Sequence, residues 1–116
     1  MKALLDENLD HALRELLTPH EVVTVSYMGW SGLKNGELLQ LAEGNGIEVV
    51  LTGDQTIAYE QNLTGRRLAV VVLSAIELPI IRHNLPAIIA AISRAAPGPF
   101  QVVQCGVFTR RMPRGK

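Results

Sequence analysis

The chain contains one cysteine, no long apolar run and no acidic residue after Glu77, and these absences exclude several classes of protein. Cys105 has no second cysteine with which to form an internal disulfide. The longest apolar stretch, residues 76–92, is interrupted by two prolines, an arginine and a histidine, so it is not the run of about 20 apolar residues that a membrane span needs. No basic segment leads into an apolar one at the N-terminus, as it does in a secretion signal. We therefore expect a cytoplasmic protein with no membrane partner, in which Cys105 is a small packed residue.

Two signatures of catalysis or ligand binding are also missing. The glycine-rich segment GWSGLKNGE, residues 29–37, lacks the GK[ST] ending of a phosphate-binding loop, so the sequence does not support nucleotide hydrolysis. The three histidines, His11, His20 and His83, show no paired metal-ligand spacing. We expect them at the surface or at helix ends.

The composition is that of a globular protein, and the charge is divided unevenly along the chain. The 116 residues are 47% hydrophobic and 19% charged, which suits one domain with a single core. Residues 1–77 carry 11 acids and 5 bases, whereas residues 78–116 carry 6 bases and no acid. We expect one domain over residues 1–108 and a basic, flexible tail over residues 109–116, whose Arg110 and Arg111 are candidate contacts for a phosphate backbone.

Strands alternate with helices along the chain, a pattern typical of a mainly parallel sheet with helices on both faces. Strands are predicted at residues 2–5, 21–25, 48–51, 68–73 and 100–104. Helices are predicted at residues 9–17, 37–43 and 86–95, the first with Asn8 as its N-cap and with Leu9, Ala12, Leu13, Leu16 and Leu17 as its buried stripe. The predicted fold is a three-layer α/β/α sandwich with about five strands.

Acidic residues follow two of the predicted strands. Asp6 and Glu7 come after the first strand, and Asp54 comes after the third. In an open α/β sheet the carboxyl ends of the strands form the ligand crevice, so these side chains are expected in one pocket. If the short helix after the glycine-rich loop presents Glu37 there, three hard oxygen ligands meet, as Mg²⁺ or Mn²⁺ prefers.

Three segments resemble a known family. LLDENL (residues 4–9), VVTVSYMGWSGLKNGELLQLA (residues 22–42) and VLTGDQ (residues 50–55) look like the small prokaryotic PIN-like proteins, which are related to the PIN ribonuclease toxins of toxin-antitoxin pairs. The resemblance implies that Asp6, Glu37 and Asp54 hold Mg²⁺ or Mn²⁺ for RNA hydrolysis, with Glu7 and Asn8 in support. It further implies RNA as substrate and, if the chain is a toxin, a small antitoxin as partner. A homodimer is a separate candidate assembly, and it would count against the toxin role.

Two positions differ from the family pattern and leave the acidic cluster with fewer carboxylates. Asn35 stands where the family often has an acid before the helix Glu, and Thr56 stands where it often has a second Asp. Glu60 is a candidate substitute from the following turn. A degenerate PIN-like module that holds RNA or a protein without catalysis therefore stays open.

A phospho-receiver domain is a further alternative, because receivers also carry acids after the first strand and a phosphoacceptor Asp after the third. Asp6, Glu7 and Asp54 fit that pattern, and Ser74 fits the switch hydroxyl after strand four. The last strand, however, lacks the lysine that receivers use to hold the phosphoryl group.

Several other residues are candidate contacts for RNA. Tyr27 and Trp30 flank the predicted crevice, where their rings either pack under the loop or stack a base. Basic candidates before residue 77 are Lys34, Arg66 and Arg67.

Overall fold

The fold is built from short strands and helices, seen in a computed structural model that describes residues 1–57, 66–98 and 100–105. The strands in these residues are β1 (Lys2–Leu5), β2 (Glu21–Thr24), β3 (Val49–Thr52), β4 (Ala69–Leu73) and β5 (Gln101–Val103). The helices are α1 (Leu13–Leu16), α2 (Asn35–Gly44), α3 (Leu78–His83) and α4 (Leu85–Arg94). Every strand predicted from the sequence is present, and each end lies within one residue of its predicted position.

The strands form one parallel sheet in the order β2-β1-β3-β4-β5. The mainly parallel sheet of about five strands is therefore confirmed. Leu5, the last residue of β1, pairs with Thr24 of β2 on one side and with Leu51 of β3 on the other. The residues that follow these three strands consequently emerge side by side at one end of the sheet, which we call the carboxyl edge; the opposite end is the amino edge.

Both faces of the sheet are buried, because successive strand residues point to opposite sides and both sides are apolar. One core cluster joins residues of the sheet to α1, α3 and α4, and it includes Ala3, Leu5, Leu51, Leu13, Ile81, Ile88 and Ile92. A second cluster joins the other sheet face to α2, and it includes Leu4, Val50, Val70, Val72, Leu38 and Leu39. The helices thus cover both faces, and the predicted three-layer sandwich is confirmed.

The first helix is shorter than predicted. It has one turn, from Leu13 to Leu16, and Asn8 does not cap it. Asp10 Oδ1 accepts a hydrogen bond from the Ala12 backbone N–H (2.9 Å), which stabilises a turn before the helix. The predicted stripe is correct for Leu9, Leu13 and Leu17, which are buried, and wrong for Ala12, which is exposed.

The other helices also differ from the prediction. Helix α2 begins two residues earlier than expected and ends one residue later, and α4 begins and ends one residue early. Helix α3 was not predicted, because its six residues include Pro79 near the start and are too few to show a helical period.

Some sequence predictions lie outside the described residues. They concern Glu60, a turn at residues 62–65, an extension of the last strand at Val107 and Phe108, and the tail with Arg110 and Arg111. Within the part of the chain that the structure describes, no helix has the length and apolar character needed to cross a membrane.

Candidate functional site at the carboxyl edge of β1 and β3

The site lies where the chain reverses its direction of travel across the sheet. Strand β1 sits between β2 and β3, so the connection after β1 leads to one side and the connection after β2 leads back past it to the other. Open α/β sheets bind ligands at such a switch point, outside the carboxyl ends of the two central strands. Asp6 follows β1, and Asp54 comes two residues after β3. We call these two residues the carboxylate pair.

Asp6 is held in place by backbone and side-chain donors. It is 7% exposed, and its backbone N–H donates to the Leu51 carbonyl (2.9 Å), which continues the sheet by one residue. Oδ2 accepts from Thr52 Oγ1 (2.6 Å), and Oδ1 accepts from the Glu7 backbone N–H (2.8 Å). Each carboxylate oxygen offers two acceptor positions, so each keeps one beyond these bonds.

Asp54 begins the turn after β3. Its Oδ1 accepts from both the backbone N–H (2.9 Å) and the hydroxyl (2.6 Å) of Thr56. The Thr56 hydroxyl is the main cause that lowers the pKa of Asp54, partial burial opposes it, and the Thr56 N–H and the Asn35 side chain lower it further. Asp54 is therefore ionised at neutral pH. The side chain of Asn35, at the start of α2, forms a hydrogen bond with this carboxylate.

Thr52 ties the two acidic residues together, and sequence reasoning missed it. Its side chain is fully buried, its hydroxyl donates to Asp6, and the same oxygen accepts from the Asp54 backbone N–H (3.0 Å). A threonine at the end of an apolar strand is an ordinary strand residue in the sequence. Its only signal was its position beside Gly53 and Asp54 at a strand end.

Glu7 and Asn8 support the surrounding loops. Glu7 Oε2 accepts from the Gly32 backbone N–H (3.1 Å), which fastens the glycine-rich loop to the residue after Asp6. Asn8 Oδ1 accepts from the Gly53 backbone N–H (3.3 Å), which links the exits of β1 and β3. The supporting role predicted for both residues thus has a geometric basis, since each holds a neighbouring segment against Asp6 or Asp54.

Glu37 does not join the carboxylate pair in this arrangement. Its side chain is exposed in the first turn of α2 and makes no hydrogen bond or ion pair with another described residue. Among residues 1–57, 66–98 and 100–105, no group of three or more His, Cys, Asp or Glu side chains could hold a metal ion. The ligand role implied for Glu37 stays a prediction.

The donor set nevertheless fits a hard divalent cation held by few protein ligands. Asp6 and Asp54 offer carboxylate oxygens, and the Asn35 side chain beside Asp54 carries an amide oxygen. Magnesium is commonly bound through one or two carboxylates, with water and substrate phosphate in the remaining positions. Thr52 and Thr56 fix the orientations of the two carboxylates, as supporting hydrogen bonds do around metal ligands.

The candidate RNA contacts are divided between the two edges. Trp30 is half-buried against the α2-side core, and Lys34 is exposed just before α2 at the carboxyl edge. Arg66 and Arg67 precede β4 and lie at the amino edge, where Arg66 forms an ion pair with Glu43 (2.8 Å). These two arginines thus lie at the edge of the sheet opposite the carboxylate pair, and their contact with RNA stays a prediction.

Cys105 and Ser74 have structural partners. Cys105 is 1% exposed, and burial raises the pKa of its thiol, which confirms the packed role predicted for it. Ser74 Oγ accepts from the Cys105 backbone N–H (2.6 Å), so this hydroxyl joins the ends of β4 and β5. The two described residues after β5 are Gln104 and Cys105, neither of them the lysine that a receiver domain needs.

Gly53 supplies a prediction about the turn between Thr52 and Asp54. A Cβ at this position would overlap Ile76 Cγ2 and touch Leu9 Cδ2 at 3.4 Å. Since Ile76 is β-branched and stiff about χ1, we expect Gly53→Ala to destabilise the protein by about 1–3 kcal/mol, the usual range for overpacking. Ile76→Ala removes the overlapping methyl group, so the double variant should recover most of the loss in thermal unfolding. Strictly additive effects of the two substitutions would contradict this contact.

Comparisons with family models, curated proteins and solved structures find no match to this chain. The likeness of three short segments to PIN-like proteins therefore stays an interpretation of the sequence.

Proposed function

We propose that the protein is a divalent-cation-dependent endoribonuclease of PIN-like type, with the carboxylate pair as its metal-binding unit. One observation carries the proposal: Asp6 and Asp54 come from adjacent strands at the switch point of the sheet and are tied together by the buried hydroxyl of Thr52. Mg²⁺ or Mn²⁺ bound there would lower the pKa of a bound water and neutralise charge that develops on a scissile phosphate.

Hydrogen bonds within the protein orient both carboxylates before a metal ion or a substrate binds. Thr52 and the Glu7 N–H fix the rotation of the Asp6 carboxylate, and Thr56 fixes that of Asp54. Ligands oriented before binding need no reorganisation when substrate arrives, which is the main source of electrostatic catalysis. Asn35 and Lys34 lie at the start of α2, where a substrate phosphate next to Asp54 would meet them.

The direct test is cleavage of a labelled single-stranded RNA by the purified protein. We expect cleavage in Mn²⁺ or Mg²⁺ and none in EDTA. Equal cleavage in EDTA would indicate a contaminant or a metal-independent ribonuclease, and it would contradict the proposal.

Glu37→Gln measures what the helix carboxylate contributes. Because Glu37 is exposed and apart from the carboxylate pair, we expect this variant to lower Mn²⁺ affinity much less than Asp54→Asn does, as measured by calorimetry. An equal loss of affinity in both variants would mean that Glu37 becomes a third ligand when the ion binds, as the family resemblance implies.

One observation favours a second candidate, a PIN-like module that binds RNA or a protein without catalysis. Among the described residues, Asp6, Glu37 and Asp54 do not form a three-acid metal cluster, and Asn35 and Thr56 stand where the PIN-like family often has further acids. Such a module would bind RNA without cleaving it in any divalent cation. A toxin role would add an antitoxin as partner, which co-purification from the native host would identify.

A receiver-like function has less support. The strand order is shared with receiver domains, and Asp6, Glu7 and Asp54 occupy the corresponding strand ends. However, the Glu7 carboxylate turns to the Gly32 backbone, and the Ser74 hydroxyl is taken by the end of β5. Incubation with a small phosphodonor should therefore leave Asp54 unmodified.

A further inference from the structure

Two exposed apolar side chains stand on either side of the carboxylate pair. Tyr27 is 73% exposed after β2, and Ile76 is 46% exposed after β4. With the sheet order β2-β1-β3-β4, the exits of neighbouring strands present Tyr27, Asp6, Asp54 and Ile76 in that order. Strands lie about 4.8 Å apart, so the four positions span roughly 14 Å along the carboxyl edge.

Hydrogen bonds fix the conformation of the loop that carries Tyr27. The Tyr27 backbone N–H donates to Thr24 Oγ1 (3.0 Å), and the Trp30 N–H donates to the Val25 carbonyl (3.0 Å). Gly29 and Gly32 adopt φ values of 77° and 82°, which suit glycine, and the Gly32 N–H reaches Glu7. The loop thus holds an aromatic ring in solvent beside the site, where a mobile loop would lose more entropy on binding.

Ile76 is fixed on the other side. Its Cγ2 lies over Gly53, within the space that a Cβ at Gly53 would fill, so this side chain touches the turn that presents Asp54. An exposed isoleucine in contact with the candidate site is available to pack against a ligand that spans it.

We propose that Tyr27 and Ile76 bind two unpaired bases of a single-stranded RNA, one on each side of the phosphate that reaches the carboxylate pair. This inference rests on the proposed function, and it specifies the substrate as unpaired RNA. Bases stack on aromatic rings with little regard to sequence, and their apolar faces are available only in a single strand.

The carboxyl edge is mainly acidic, which favours RNA binding through the bases over binding through the phosphate backbone. Lys34 contributes one positive charge there, but carboxylates follow three adjacent strands: Asp6 and Glu7 after β1, Asp54 after β3, and Glu77 after β4. An acidic edge repels a phosphate backbone, so the electrostatic term that dominates most nucleic-acid binding is unfavourable here in the absence of a cation. Beyond the contact of Lys34 and Asn35 with phosphate, affinity for RNA at this edge must then come from the bases and from metal-bridged phosphate.

The test measures binding without cleavage. Fluorescence anisotropy of a labelled, unstructured RNA of about 12 nucleotides is recorded in EDTA, at a salt concentration that shortens the range of repulsion. Wild type is compared with Tyr27→Ala, Tyr27→Phe and Ile76→Ala, and with Leu41→Ala, which removes an exposed apolar side chain from the middle of α2. Circular dichroism checks that each variant folds, and the same RNA annealed to its complement serves as competitor.

We expect Tyr27→Ala to raise Kd at least about 5-fold, the lower end of what one base–aromatic stack contributes, while Tyr27→Phe stays within about twofold of wild type. Ile76→Ala should raise Kd measurably, Leu41→Ala should leave it unchanged, and duplex RNA should not compete. Unchanged binding by Tyr27→Ala or Ile76→Ala, equal losses in Tyr27→Ala and Tyr27→Phe, or no binding by wild type would each overturn the proposal.

Two results distinguish a failure of the proposed base contacts from a failure of the proposed nuclease activity. Binding through Tyr27 without Mn²⁺-dependent cleavage would leave the base contacts standing and reject the catalytic role. Mn²⁺-dependent cleavage with the same KM in wild type and Tyr27→Ala would leave the catalytic role standing and reject the base contacts.

Discussion

Asp6→Asn should abolish the Mn²⁺-dependent cleavage of single-stranded RNA and leave the protein folded. Asp6 follows the central strand at the switch point and is one of the two carboxylates assigned to the cation. Replacing it by an amide removes one negative charge and a hard anionic ligand. We expect the loss to exceed the roughly 10- to 100-fold effect typical of changing an outer-shell partner of a metal ligand.

The surroundings of Asp6 explain why the substitution should be tolerated. The amide oxygen of an asparagine can keep the hydrogen bond from the Glu7 N–H, and its NH₂ group can donate to Thr52 Oγ1, which would reverse the donor and acceptor of the present bond. Thermal unfolding should therefore show a small change in Tm beside a large change in rate.

The matched control is Glu15→Gln, which makes the same chemical change on an exposed residue of α1, away from the carboxyl edge. It should cleave at the wild-type rate. Cleavage by Asp6→Asn within a few-fold of wild type would remove this residue from the site.

Thr52→Val should weaken both the fold and the site. Valine has nearly the shape of threonine, so the change deletes the hydroxyl without opening a large cavity. The variant loses the donor to Asp6 and the acceptor for the Asp54 N–H in a fully buried position. Hydrogen bonds to charged groups contribute about 1.5–3 kcal/mol, so we expect a loss of roughly 2 kcal/mol in the free energy of unfolding. For a domain of this size that corresponds to a decrease in Tm of about 10 °C.

The same substitution should lower Mn²⁺ affinity, because the rotation of Asp6 and the start of the Asp54 turn both depend on the Thr52 hydroxyl. Thr52→Ser retains the hydroxyl and loses only a methyl group, so it should recover most of the affinity even if some stability is lost. If Thr52→Ser binds Mn²⁺ as weakly as Thr52→Val, the hydroxyl does not position the ligands.

The sheet could be predicted from the sequence because its signals are local. Runs such as EVVL and LAVVVL are apolar and bounded by turn residues, as strands buried on both faces are. The order of the strands has no comparable local signal, since it depends on which edges pair after collapse. The position of the acids at strand ends was enough to predict that Asp6 and Asp54 share an edge.

The rest of the site depends on side-chain contacts between distant residues. Asparagine is a residue type that often caps helices, but the side-chain oxygen of Asn8 instead accepts a hydrogen bond from the Gly53 N–H after β3. Arg66 follows a predicted turn as a surface base would, but Glu43 at the end of α2 pairs with it at the amino edge. Local propensity cannot distinguish these outcomes, because each is decided by a partner more than 20 residues away.

The central claim is that Asp6 and Asp54 together bind a divalent cation, and calorimetric titration of Mn²⁺ into wild type and Asp54→Asn tests it most directly. Asp54→Asn keeps an oxygen to accept from Thr56, so the turn should survive the loss of charge. The account predicts one bound ion in the wild type and no measurable binding in the variant. Equal binding in both proteins, or no binding in the wild type, would contradict it.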